Sequence, residues 1–505
     1  MGSPGRHYAG GGSAPASRPC RSPAAQGRAD RAGILVGAPI VLTAEQASVN
    51  QLLHATRRAD PEGLWAMAVQ PVPQEDPAAA PVLAIDTGRL PSVAAWRTEY
   101  GVEPSAVAGL LAPPPADPLV LSGPDYEVEV TRDNAEESPP LQLTLSFEAH
   151  ANGAEVSSTV DIVHGRHTYP GRVLGCEQGC RFTGLAISGV RNDSVFVSLH
   201  ALRGLNPAQD VFTTADLNNR QRWSGSPGTV VVPFNAALRI ETESSPFAEA
   251  RAEVSVVDAP TPVPVLSTRA TAAAINSLGP VRLDTRLVTH VTLLPRLGAD
   301  GIVVDLEYLQ RLDQSRAAKQ AGEVWLGPAA PPDAVGRLRT AGLSVRETAS
   351  IARSQSDLDN AGPALALRFH LAAAGFGIAL ALGGLGLVAS VDRRRRAEDL
   401  RALRLQGLPP RFVRRSAVWG YLWLVGGSAL AGLLAGAAAW YATGERLPVF
   451  TDTLAQLPPP RWPELSVVLV PWSVATATLV VAAVASAQVL RATVRRAVRN
   501  TGKRE

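Results

Sequence analysis

Two cysteines and two histidines are the first residues here whose types and spacing suggest chemistry. Cys176 and Cys180 stand in "LGCEQGCRF", and His164 and His167 stand just upstream in "HGRH". Two thiolates and two imidazoles can hold zinc. Two neighbouring thiols can equally form a disulfide, closing a five-residue loop and adding about 2 kcal/mol on the chain-entropy model. The cysteine spacing is one residue longer than a common zinc knuckle, and the compartment argued below is oxidising, so a Cys176–Cys180 disulfide is expected. The histidines then read as surface or turn residues, and no metal is assigned. No GxxxxGK[ST] phosphate loop, GxSxG elbow or HExxH pair occurs anywhere in the chain. No residue is therefore assigned a catalytic role, no cofactor is expected, and the chain is not expected to be an enzyme.

The second concentration of chemistry is positive charge. The connection 391–415 carries nine arginines against Asp392, Glu398 and Asp399, with an uninterrupted apolar run on either side. Those runs cover 371–391 and 416–442, and a third covers 465–490; none contains an Asp, Glu, Lys or Arg. About 20 apolar residues span a bilayer as a helix, so three transmembrane helices are expected. Charge-free spans leave no intramembrane proton relay or ion site, which argues against an ion-coupled transporter. Positive charge near membrane ends stays cytoplasmic. The tail carries Arg491, Arg495, Arg496, Arg499, Lys503 and Arg504, whereas 443–464 has only Arg446 and Arg461 against Glu445, Asp452 and Glu464. The expected protein sits in the cell membrane as a multi-pass chain, with its C-terminus cytoplasmic and everything before 366 extracytoplasmic. Small residues crowd the spans; Gly432 and Gly436 form a GxxxG pair that Ser428 extends by a turn, a pattern that lets helices pack closely in lipid.

These spans must be joined to the long region before them. Residues 1–30 are rich in Gly, Ala, Pro and Arg without an apolar run and are expected to be a disordered leader. From 31 to 140 strand-like and helix-like runs alternate, as in "GILVGAPIVL" and "VLAIDTG" against "AEQASVNQLLHATRRA" and "SVAAWRTEYG". Between 141 and 265 short alternating strands are divided by Gly, Asn and Pro turns, the pattern of an antiparallel β-sandwich. From 266 to 365 the mixed pattern resumes, so the sandwich reads as inserted into an α/β lobe. "SIARSQSDLDNAGPALALRFH" reads as a stalk helix running straight into the first span, assigned 366–391. The remaining divisions are a cytoplasmic segment 392–412, a span 413–442, an extracytoplasmic loop 443–464, a span 465–490 and a basic tail 491–505. The expected fold class is thus an α+β integral membrane protein: a large extracytoplasmic α/β lobe with an inserted β-sandwich, followed by three transmembrane α-helices. Net charge is +3, and no nucleic-acid partner is expected.

"VWLGPAAPPDAVGRLRTAGLSV", a helix into a span, "RRRRAEDLRALRLQGLPPRFVRRS", two further spans and a basic tail resemble the FtsX-like permease family, membrane subunits of ABC transporters, in the actinobacterial type. The resemblance covers about 31–500 and is most specific at 390–415. It implies a contact for a cytoplasmic ABC ATPase at Ala397, Glu398, Leu400, Leu403 and Gly407. Ala397, Leu400 and Leu403 recur at helical spacing, and "GLPP" stops the helix; a loop needed only for charge has no use for an apolar face. The family's unit has four spans with its large domain after the first, so a preceding transmembrane helix is expected to be missing here through a truncated or split gene. An acid that the family often carries near Gly420 is absent from "AVWGYLW".

The resemblance implies a permease subunit that couples ATP hydrolysis in a partner to movement of its extracytoplasmic domain, for export or extraction of a lipid, lipoprotein, peptide or drug. Its expected partners are the ATPase, a second permease half or copy, and the bilayer. Two other classes stay open: a non-transporting mechanotransmission complex regulating a cell-wall hydrolase, and a membrane-anchored carbohydrate- or peptide-binding protein.

Overall fold

A computed structural model describes residues 23–391 apart from 46, 115–116, 134–138, 189–195, 243–250, 272, 280 and 313–320. Beyond 391 it describes 398, 402, 406, 410–443, 472–478, 480, 481, 484 and 488. The chain forms two compact units, one of residues 32–354 and one of residues 1–31 with 355–505.

The larger unit is built on an eight-stranded mixed sheet. Its strands run in the order Thr285–His290, Val263–Ser267, Ile302–Asp305, Val82–Ile85, Ala66–Val72, Gly322–Leu326, Ile40–Ala44 and Val345–Ser350. Successive residues of these strands feed different cores. Leu42, Ala68, Ala84, Val304 and Val324 join one cluster, while Val41, Met67, Ile85, Val303 and Trp325 join another. Side chains alternate across a strand, so both faces of the sheet are covered. That is why "VLAI" is buried at all four positions and reads as a continuous apolar run. The helix Val49–Ala59 covers one face. It starts at a capping box in which Ser48 and Gln51 each satisfy the other's backbone N–H. It buries Leu52, Leu53 and Ala55.

A β-sandwich occupies the chain between the sheet strands Val82–Ile85 and Val263–Ser267, and is therefore an insertion in the lobe. One of its sheets has Thr229–Phe234, Ala237–Thr242, Phe196–Leu205, Asp125–Arg132 and Gly165–Arg172 in order; the other has Trp223–Gly225, Arg251–Val256, Cys180–Ser188, Leu141–Ala149 and Glu155–Ile162. Their inner faces share one core. At its centre Phe182 lies edge-on to Phe212 at 4.9 Å between centroids and to Phe147 at 5.4 Å, and Phe212 meets Trp223 at 5.6 Å, geometry that favours aromatic pairs.

Five expectations need correction. The sandwich begins upstream of 141: Val120–Leu121 and Asp125–Arg132 belong to it and not to the α/β lobe. "DYEVEVTR" alternates half-buried and buried residues, with its acidic residues outward and Arg132 on the buried face. Residues 23–30 are not disordered, and "GILVGAPIVL" is not one strand. A helix runs Pro23–Val36 and the strand starts only at Ile40. Between them Gly37 takes φ +84, where a side chain would strike the Trp325 indole, and its N–H closes on the Gly33 carbonyl at 2.9 Å. Pro39 then forbids helix continuation. "SVAAWRTEYG" is helical only as Leu90–Val93 and a 3-10 turn, Thr98–Tyr100. Finally, the stalk is not continuous: Ile351–Asp359 and Gly362–Val391 are separate helices. Pro363 has no N–H to bond the carbonyl of Asp359, so it suits the first turn of a new helix and not the continuation of the old one.

Candidate coupling elements

The chain enters and leaves the lobe at one place. The strand Ile40–Ala44, reached from the helix Pro23–Val36, pairs antiparallel with the edge strand Val345–Ser350, with Ile40 opposite Ser350. The Ile351 N–H donates to the Pro39 carbonyl at 3.0 Å, and Ile351 opens the exit helix Ile351–Asp359. The two helices are tied by Arg28, whose Nε donates to Asp359 Oδ1 at 2.6 Å. Arg28 is eight residues from Val36, and Asp359 is eight from Ile351, so the two helices advance in step. Asp359 is the last residue of its helix, where the helix dipole disfavours an anion; Arg28 supplies the compensating charge. Gly362–Val391 follows, and its stretch Ala364–Gly384 is long and apolar enough to cross a membrane.

Inside the larger unit an ionic network joins elements far apart in sequence. Arg57, on the helix Val49–Ala59, donates to Asp86 at 3.1 and 3.2 Å and to Glu307 at 2.9 Å. Burial works against its charge, but Asp86 and Glu307 outweigh that and raise its pKa. Glu307 also accepts from Arg311 one turn along the helix Leu306–Leu312. Burial pushes Glu307 up, yet Arg57 and Arg311 hold it below the ordinary carboxylate range. Asp305 precedes this helix; its Oδ1 accepts the Tyr308 N–H at 3.0 Å and its Oδ2 accepts from Thr87. Burial, with Asp86 and Glu307 nearby, pushes its carboxyl up to about 6 despite the bonds from Thr87 and Tyr308.

A second network crosses from sandwich to lobe. Glu148 is buried at the end of a sandwich strand and receives Arg181 at 2.6 Å from the neighbouring strand. From the lobe, His54 Nε2 lies 2.9 Å from its Oε1 and Gln310 donates to its Oε2 at 3.4 Å. Burial raises Glu148, but the His54 bond and the Arg181 guanidinium outweigh it and leave its pKa lowered.

The sequence-derived site residues fall as follows. Cys176 and Cys180 are both fully buried and form a disulfide with 5.3 Å between their Cα atoms. His167 turns to the His164 carbonyl at 3.0 Å in the hairpin turn. Among the described residues no group of three or more His, Cys, Asp or Glu is placed to hold a metal. Glu398 is helical and exposed, while Ala397, Leu400, Leu403 and Gly407 lie outside the described residues. Ser428, Gly432 and Gly436 are exposed on the helix Pro410–Thr443. A Cβ on either glycine would meet nothing within 4 Å. Of the expected third span, Trp472–Thr478 is described and helical. The pairs Arg28–Asp359 and His54–Glu148 were not foreseen; they join residues 331 and 94 positions apart, and no local pattern marks them.

No curated protein and no solved structure gives a significant match. A family model, described as FtsX-like permease C-terminal, matches residues 371–494. The matched stretch takes in most of the helix Gly362–Val391, the arginine-rich connection and the helix Pro410–Thr443. This chain is accordingly a membrane protein that carries the C-terminal domain of the FtsX-like permeases, an ABC-type permease family.

Proposed function

We propose that the chain is a multi-pass permease subunit that passes movement between a cytoplasmic ATPase and its large unit, residues 32–354, on the other side of the membrane. The observation that carries this reading is the family match over 371–494, which encloses a nine-arginine connection flanked by apolar runs. The asymmetry of Arg and Lys sets that connection and the tail inside. The ATPase contact is the segment from Ala397 to Gly407, with Leu400 and Leu403 as its apolar face and Glu398 exposed beside them. The paired helices Pro23–Val36 and Ile351–Asp359 are the mechanical link, since both spring from adjacent strands and are tied by Arg28 and Asp359. A second permease, identical or related, packs on the Ser428–Gly432–Gly436 face, where small residues favour close helix approach. The cargo class is a lipid, lipoprotein, peptide or drug moved outward or extracted.

The test is co-purification of the ATPase and its stimulation by the permease. Leu400→Asp or Leu403→Asp removes a buried side chain worth roughly 1.5–3 kcal/mol and brings a charge into the contact. Either variant detaches or uncouples the ATPase at normal membrane level. Arg393→Gln does little, because Arg394, Arg395 and Arg396 still hold the orientation. Normal binding and stimulation in both leucine variants would move the ATPase contact out of this segment.

A further inference from the structure

The sandwich and the lobe keep separate hydrophobic cores. The sandwich cluster runs from Leu119 to Val256 and contains no residue of the eight-stranded sheet; the lobe clusters contain no sandwich strand. Both linkers of the sandwich are fastened to one short helix, Leu306–Leu312. Arg311 donates to the Pro114 carbonyl at 2.7 Å on the incoming side. On the outgoing side the Tyr308 hydroxyl donates to the Pro260 carbonyl at 2.7 Å, and the Asp258 N–H reaches the Arg311 carbonyl at 3.4 Å.

Away from that post, the turn after the strand Leu141–Ala149 lies against the helix Val49–Ala59. Gly153 sits there at φ +66, and a Cβ on it would stand 2.5 Å from the His54 ring and 2.9 Å from the Asn50 carbonyl. Beside this contact is Glu148, held by His54 and Gln310 from the lobe and by Arg181 from the sandwich. Arg181 in turn reaches Asp258 of the outgoing linker at 3.6 Å. Merged apolar cores make a fixed joint, whereas polar contacts between separate cores can open and close without exposing a core.

We propose that Glu148 is the clasp of a hinged arm. The sandwich pivots on the helix Leu306–Leu312 through its two linkers, and the bonds of His54 and Gln310 to Glu148 hold it docked. When they part, Glu148 keeps Arg181 as its partner, so no charge is stranded in the open state. The exposed part of the His54 ring, 39% of its side chain, gives water a path to the clasp.

The inference does not rest on the permease reading, and its test uses the full chain in lipid nanodiscs without an ATPase. The decisive variant is His54→Ala with Gln310→Ala, which removes both lobe contacts and leaves the Glu148–Arg181 pair intact. Spin labels at Glu62 and Thr159, both exposed, report the lobe–sandwich distance. Wild type gives one narrow distribution, and the variant adds a second population. Hydrogen exchange at 149–154 and along Val49–Ala59 rises about tenfold, the factor for one lost hydrogen bond to a charged group. Amides of Leu145 and Ile187 in the sandwich core and Val324 in the lobe do not change. Gly153→Ala, which wedges the joint without touching Glu148, opens it likewise. An unchanged distance distribution and unchanged exchange would overturn the clasp. Faster exchange throughout the sandwich core would also overturn it, because the contacts would then serve the fold of the domain and not its docking.

Discussion

Replacing Asp305 by Asn should stabilise the lobe at neutral pH and destabilise it in acid. Asp305 is 3% exposed and its carboxyl is pushed up to about 6 from 3.8. A shift of about 2 units, at about 1.36 kcal/mol each, means that the ionised form costs about 3 kcal/mol in the folded state. The folded value lies above the unfolded one. The wild-type contribution is therefore fully present below about pH 4 and is lost as pH rises through about 6. An amide keeps an oxygen for the Tyr308 N–H but gives up the acceptor of the 3.3 Å bond from the Thr87 N–H, worth about 1 kcal/mol. At pH 7.5 Asp305→Asn should gain about 2 kcal/mol net. At pH 4, where Asp305 is already neutral, it should lose about 1 kcal/mol. Native-state hydrogen exchange at Val303 and Val304, converted to opening free energies, reads both numbers. The same change at both pH values, or a loss at pH 7.5, would refute the reasoning, because burial would then not be the dominant influence on this carboxyl.

Arg28→Asp should speed exchange of the Asn360 amide, which donates to Ser356 at 3.1 Å, by about fivefold for a pair worth about 1 kcal/mol; adding Asp359→Arg should restore it. Gly37→Ala puts a side chain at φ +84 against Trp325 and should cost at least about 2 kcal/mol of lobe stability, measured by denaturant unfolding. Cys176→Ser with Cys180→Ser should cost about 2 kcal/mol on the chain-entropy model, and unreduced wild-type peptide should resist alkylation at both positions. In intact cells a membrane-impermeant thiol reagent should label a cysteine placed at Thr451 and not one placed at Ala397; the reverse pattern would invert the topology.

Much of the lobe could be read from continuous apolar runs such as "VLAI", because strands covered on both faces need no polar side. Sandwich strands showed as short alternating segments, except "DYEVEVTR", whose outward charges hid its inward Tyr126, Val128 and Val130. The entry helix is not legible in "GILV", which suits a strand as well as a buried helix end; Gly37 and Pro39 carry the information that decides it. The charged residues that join the pieces were silent in the sequence. Arg57 and Glu307 are 250 positions apart, and their types are ordinary for exposed helices. Periodicity reports which face is buried, not which distant charge meets it.

The place of the strand Ile40–Ala44 also governs when the lobe can fold. Its sheet neighbours are Gly322–Leu326 and Val345–Ser350, so the strand made first waits for nearly 300 residues before either partner exists. Pairings so distant in sequence are slow to form, since the loop they close must be ordered first. The sandwich contains strand pairs made between close neighbours, such as Leu141–Ala149 with Glu155–Ile162 and Thr229–Phe234 with Ala237–Thr242, and it can condense as the chain emerges. Nascent chain would thus carry a finished sandwich on an unfinished lobe whose apolar strands lie open to aggregation. The segment that closes the sheet, Val345–Ser350, directly precedes the helix Ile351–Asp359, so the sheet is completed only as the chain turns into that exit helix.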